Sequence, residues 1–554
     1  MVHKNPGEGL TKTKYSDPRV VRELGFNVMV KNDGRPPHTA ITWDSFDPDV
    51  FPEGSEGRAW VELRAAEIDR EIEAMHAAGM KAMYWSDVFV LPRTLADKYW
   101  PAITDQKGYW SFDSDLMINL TKYMLDAVFV RFPDLDGLVI RTGEIYTHDV
   151  PFHQGSSPIT DGPDSHIHLL KILDEIVVRK HNKLVFYRTW SFDGFHTDPS
   201  YYLTVADAIE PHPNLVMVIK HTKGDYWRTL PFNPTLGIGQ HPFLVEIQCQ
   251  REYEGKGAVP NYVMKGVING FDENMEDAGA KSLTDLLDHD LFQGIFAWPR
   301  GGGWRGPYPA NEFWIDMNVE VIANWATDTS RTEEELFHSW VRHTLELDEE
   351  SARALREIAL LSTRGTLLGH YSLVHQVGNL PWTRDYYIGG ADSALKGDFE
   401  AILSDGTVED VLGEKALAVY IWEMLPGPAR QIRTHDKDLR DFIDLSIEYG
   451  ILLYTIIWRS WIAQLKGMEG DQTGQYDVEL ISEGINGYDL AMQKYNDLSG
   501  SRNATEQVSS LYVPFQYRFT APDPIKGVNN SINMWRWILD EAETQSTMRD
   551  DLKR

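Results

Sequence analysis

The sequence predicts an α/β fold, a (β/α)₈ TIM barrel followed by an all-helical C-terminal domain, on three observations. Between about residue 20 and residue 310, short β-rich runs alternate with amphipathic helical stretches, the pattern of repeated βα units and a parallel sheet. Most runs end in polar and aromatic residues, as strands do at the functional rim of such a barrel. After residue 310 strand signals become sparse and helical periods take over. The expected domains are therefore a barrel over 1–310 and a helical domain over 311–554.

The β-rich runs cover 39–43, 80–85, 138–141, 184–189, 215–220, 243–250 and 294–298. Amphipathic stretches at 60–78, 116–129 and 166–179 lie between them. The run ends read Trp43-Asp44, Trp85-Ser86-Asp87, Thr142-Gly143-Glu144 and Trp190-Ser191. A doubly wound sheet would carry a Gly-rich nucleotide-binding turn after its first strand, and no such turn stands there. In the second half, 311–326, 332–347, 351–368, 409–424, 439–465, 477–498 and 532–544 read as helices. The stretch 439–465 is strongly apolar, but Arg459 and flanking charges make it a bundle helix rather than a membrane span.

With 53 Lys and Arg against 83 Asp and Glu, the formal charge is -30. That argues against nucleic acid as a partner, because phosphate binding needs clustered cations, and it disfavours anionic membranes. The single cysteine, Cys249, excludes an intramolecular disulfide framework and a multi-cysteine metal site. The first residues lack a secretory apolar run. The expected location is cytoplasmic, or periplasmic or secreted where a leader has been removed.

Four segments carry residues suited to chemistry. The strand at 138–141 runs through Gly143, where the chain can turn sharply, into Glu144 at the barrel mouth. In a partly apolar cleft such a glutamate has a raised pKa and can donate a proton; the plain alternative is a solvated loop residue. Lys220 ends an apolar strand, placed to hold a substrate anion, and Asp225 follows five residues later. In 244–255 the period of two puts Glu246, Gln248 and Gln250 on one face and Val245, Ile247 and Cys249 on the other. Glu252 continues the polar parity, and charges inside a barrel are costly unless paired or functional. Arg188 points near the same mouth, either to clamp a ligand carboxylate at two points or to pair with a barrel carboxylate.

These segments, in this order, resemble family 67 glycoside hydrolases, the α-glucuronidases that remove (4-O-methyl-)glucuronic acid from xylan side chains. Tyr187-Arg188-Thr189-Trp190 is similar to the family strand whose Arg binds the uronate carboxylate. Ile219-Lys220-His221-Thr222-Lys223-Gly224-Asp225 is similar to the lysine strand with its catalytic Asp, and Gln250-Arg251-Glu252-Tyr253 to the segment with the second carboxylate. Thr142-Gly143-Glu144 falls where the family carries its general acid. Trp43-Asp44-Ser45-Phe46-Asp47 resembles the segment that opens the family's barrel, and the stretch from 298 to 314 its exit into the helical domain. The resemblance spans roughly residues 39–345. The resemblance leads one to expect that the family's N-terminal β-domain is absent, and Ile140, followed by Arg141, stands where the family has a lysine.

The resemblance implies an inverting hydrolase of a plant or algal polysaccharide or its oligosaccharides. Glu144 would protonate the glycosidic oxygen, and Asp225 and Glu252 would activate water from the other face. It implies that Arg188 and Lys220 grip a uronate, supplemented by Arg141, His221 or Lys223. Trp43, Trp85, Trp190, Trp227 and Trp298 are the stacking candidates; the chain's 18 Trp, 24 Tyr and 22 Phe suit sugar faces as readily as a core. No metal and no cofactor is implied: His148, His153, Glu144 and Asp149 share one loop, a poor cage. A homodimer through the helical domain is the expected assembly. Alternatives are a glycosidase of the same architecture acting on a neutral or sulfated sugar, and a non-catalytic carbohydrate-binding barrel.

Overall fold

In a computed structural model, seven parallel strands form one curled sheet whose order follows the chain: β1 (Val28–Lys31), β2 (Lys81–Ser86), β3 (Gly137–Ile140), β4 (Leu184–Arg188), β5 (Leu215–Lys220), β6 (Phe243–Gln248) and β7 (Phe292–Trp298). The structure describes residues 1–499, apart from 11, 160–161, 192, 275–278, 303–308 and 376–395. The expected helix at 532–544 and part of the barrel exit lie outside the described residues.

Six of the seven expected strands stand where the β-rich runs are. The run at 39–43 is not a strand. Pro37–Ala40 forms a 3₁₀ turn, and Trp43 has a φ of 66°. Pro36 and Pro37, whose fixed φ suits the start of a helical turn, open that 3₁₀ turn just ahead of the run. The first strand is Val28–Lys31, whose four residues are too few to display a period.

Among the described residues β1 and β7 do not pair, so the expected eighth strand is not a full one. Its place at the mouth is taken by the first residues of the chain. Val2 bridges Arg300 in parallel, and the His3 N–H donates to the Arg300 carbonyl at 3.0 Å. Deeper between β1 and β7 lies an apolar cavity of about 360 Å³, lined by Val28, Val30, Ile295 and Ala323 among others. It opens toward the N-terminal ends of the strands, away from the polar rim.

The strand period splits the core into two layers. Val185, Tyr187, Val245, Ile247 and Cys249 face outward into the large cluster shared with the helices. Val30, Met83, Val139, Phe186, Val216, Val218 and Phe296 fill the interior. Outside run Glu56–Ala77, capped by Ser55, and Asp115–Arg131, capped by Ser114. Pro163–Leu173 continues into a π-helical turn, Asp174–Lys180.

Every described element after β7 is helical, as the periods predict. Phe313–Thr327 leads to Glu333–Ser339, whose Thr332 and Glu335 form a capping box. Glu349–His370, Val408–Met424, Lys437–Thr473 and Val478–Ser499 follow. Gly474, at φ 72°, ends the 37-residue Lys437–Thr473 helix. The Trp314 indole donates to Ser446 Oγ at 2.9 Å, tying that helix to the first helix after the barrel. No helix among the described residues is long and apolar enough to cross a membrane.

Candidate active site

One step of the strand period past the apolar interior lies a layer of chemistry. Met83 is followed on the same face by Trp85, Val139 by Arg141, Phe186 by Arg188, Val218 by Lys220, Leu244 by Glu246 and Phe296 by Trp298. Six strands therefore bring two indoles, three cations and a carboxylate to one end of the barrel without any special turn.

Buried charge must be paired, and here it is. Arg188 donates through Nε and Nη2 to the two oxygens of Glu246, at 2.6 and 2.7 Å, and Tyr226 Oη donates to the same carboxylate at 2.6 Å. Of the two readings of Arg188, the pairing with a barrel carboxylate is realised. Its guanidinium lies 5.1 Å from the Trp85 ring and 5.2 Å from Trp298. Arg141 makes the same two-point contact with Asp87. Burial pushes the Asp87 carboxyl up, opposed by that guanidinium, with a net rise.

Lys220 Nζ donates to Asp225 Oδ1 at 2.5 Å and sits 3.6 Å from the centre of the Trp190 ring. Asp225 Oδ2 accepts from the Tyr253 hydroxyl. Burial acts to raise the Asp225 pKa, but Lys220, the Tyr253 hydrogen bond and Arg188 outweigh it and hold the group well below the usual carboxylate range. Asp225 is an anion in this site.

Glu252 is placed by a compact loop after β6. Gln248 Oε1 accepts from the Glu252 N–H at 2.8 Å, and Arg251 takes a φ of 57°. Arg251 Nε and Nη2 hold Glu254 at 3.0 and 2.9 Å, and Glu254 also accepts from Asn261 and from Tyr371 at 2.8 Å each. Tyr371 follows the helix Glu349–His370, so the helical half of the chain anchors this loop. Gly302 has a φ of 79°, which favours glycine, and a Cβ there would meet the Glu252 carboxylate and shift it.

Glu144 sits differently from expectation. Its side chain is 34% exposed and Arg141 Nη1 is 3.5 Å away, so a cation, not an apolar cleft, is its nearest partner. Gly143 serves close approach rather than a turn, since a Cβ would meet Ser191 Cα at 3.0 Å.

Glu144, Asp225 and Glu252 line one cavity together with Arg141, Arg188, Lys220, Trp85, Trp190 and Trp298. Four expected binding residues do not. His221 follows Lys220 and by parity faces outward; it is buried and its pKa is pushed down by desolvation and Arg251, so it offers no cation. Lys223 is exposed outside the cavity. Trp43 is buried against Tyr123, 5.2 Å away. Trp227 packs on Tyr253 at 5.1 Å, behind the wall. The loop residues weighed as a metal cage are engaged separately, Asp149 with Lys4 at 2.6 Å and His153 beside Phe51 and Trp60.

The cavity also holds residues to which the sequence assigns no role: His3, Asn5, Pro6, Tyr146, Tyr226 and Tyr253. Tyr226 and Tyr253 adjoin Asp225 and Glu252, and that adjacency is their signal. Nothing in period or composition points to residues 3–6.

No protein-family model matches the chain, and no curated protein does. The fold has solved counterparts. A GH138 enzyme targeting pectin rhamnogalacturonan II aligns with a TM-score of 0.56 at 12% identity, covering 98% of this chain and 64% of that one. The chain thus spans less than two thirds of that enzyme's length. A mutant O-GlcNAc hydrolase from Thermobaculum terrenum aligns with a TM-score of 0.39 at 10% identity, over 97% of this chain and 94% of that one, too distant to carry an argument. At these identities the GH138 likeness establishes the barrel-with-helices fold.

Proposed function

We propose that the chain is a glycoside hydrolase acting on a sugar that carries a carboxylate, an inverting α-glucuronidase-like enzyme. The observation that carries this reading is that Glu144, Asp225 and Glu252, from three separate rim segments, line one cavity. Two carboxyl groups in distinct protonation states are the minimum for glycoside hydrolysis. Asp225, held as an anion by Lys220 and Tyr253, suits the water-activating side together with Glu252. Glu144, on the partly exposed rim, is where a leaving group can take a proton. The GH138 counterpart, described as targeting a pectin, has the same fold and favours a polysaccharide or oligosaccharide substrate.

The cations support the acidic sugar. Glu246 occupies two of the five N–H groups of Arg188, and Asp225 one of the three on Lys220, so both retain donors for a ligand carboxylate. A neutral sugar is the second reading, favoured by the fact that Arg141, Arg188 and Lys220 each already face a protein carboxylate.

A panel of chromogenic α- and β-glucuronides, galacturonides and hexosides separates these. Hydrolysis of uronides at least ~10-fold faster than of the matching hexosides is the expected result, one cation–carboxylate contact being worth about that much. Equal rates would leave the neutral-sugar reading, and no hydrolysis of any member would sink the glycosidase.

A further inference from the structure

Residues 2–6 cross the barrel mouth and complete the cavity wall. His3, Asn5 and Pro6 line the same hollow as the three carboxylates. The His3 ring stacks on Trp298 with centroids 4.9 Å apart and planes 16° apart, and meets Trp85 edge-on at 6.2 Å. Those are the two indoles that flank Arg188. His3 thus sits one aromatic layer from the cation assigned to the substrate.

The segment is built in. Lys4 reaches Asp149 at 2.6 Å, and the Gly7 N–H donates to the same carboxylate at 3.0 Å. Gly301 has a φ of 101°, and a Cβ on it would collide with the His3 carbonyl. Gly301 and Gly302 therefore do paired work, one admitting His3 and the other Glu252. Asn32 Nδ2 lies 2.7 Å from His3 Nδ1.

We propose that His3 is a specificity-determining residue of this site, its imidazole donating a hydrogen bond to an oxygen of the bound sugar from the wall formed by residues 2–6. The inference rests on the cavity being the glycosidase site proposed above.

The test compares His3→Ala, His3→Gln and His3→Phe on the best uronide of the panel, with kcat, KM and sugar binding read by indole fluorescence. His3→Ala should raise KM roughly tenfold, the worth of one hydrogen bond, with kcat far less affected. His3→Gln, which keeps a donor, should recover most of it; His3→Phe, which keeps only the stack on Trp298, should not. An unchanged KM in His3→Ala overturns the inference and leaves the hydrolase standing. Rescue by Phe and not Gln also overturns it, since the ring then acts by packing. A wild type that binds uronides without cleaving them, with the same variant pattern in affinity, upholds the role of His3 and removes the hydrolase reading.

Discussion

Arg188 and Glu246, 58 residues apart, meet in a two-point ion pair inside the barrel, with strand β5 between their own strands. The side chains are 3% and 0% exposed. Removing one partner of such a pair strands the other charge in a low dielectric, at a cost of about 3–5 kcal/mol. Glu246→Ala should lose that much unfolding free energy in urea denaturation. Glu246→Gln, which keeps the Tyr226 hydroxyl in play, should lose less.

The Lys220–Asp225 pair sets an acid limb. The folded Asp225 pKa lies near 2, below that of an unfolded aspartate, because Lys220, Tyr253 and Arg188 outweigh burial. Its stabilisation is therefore complete above about pH 4 and is lost as pH falls through the folded value. In Lys220→Met the main opposing cation is gone and burial raises the group. The variant should be less stable than wild type above about pH 4, and its acid-side loss through this group should shrink or reverse so that the difference narrows on acidification, which unfolding midpoints from pH 2 to 6 would record.

Glu144→Gln separates acid catalysis from the rest. Hydrolysis of a natural glycan should fall about 10²–10⁴-fold, the usual worth of a positioned proton donor. An aryl glycoside with a good leaving group needs no protonation and should stay within about tenfold of wild type. Equal losses on both substrates would reassign Glu144 to binding.

Gly302→Ala tests how tightly Glu252 is held. The added methyl falls on the Glu252 carboxylate, and the φ of 79° is unfavourable for alanine. A displacement of about 1 Å costs on the order of 10²-fold in kcat/KM. The loss should exceed what the accompanying drop in thermal midpoint explains.

The rim layer is legible where a strand period reaches it. Arg188, Lys220 and Glu246 face inward because each lies two positions beyond a residue packed in the barrel interior, and His221 faces outward for the same reason. Trp43 and Trp227 show the limit. Both lie off the strands, where no period says which way an indole turns, and both pack away from the cavity. Glu144, also off-strand, reaches the cavity but beside Arg141 rather than in an apolar cleft. The first strand escapes notice because four residues are too few to reveal an alternation.

Local periodicity is written into neighbouring residues by backbone geometry, so the alternation of strands and helices, the inward faces and the acidic, cysteine-poor character follow from the chain alone. Which carboxylate meets which cation depends instead on sheet order, curl and loop closure. These bring Arg188 to Glu246 across an intervening strand and lay His3 against Trp298, 295 positions away. No feature within a few residues encodes such a meeting, and only the folded barrel decides it.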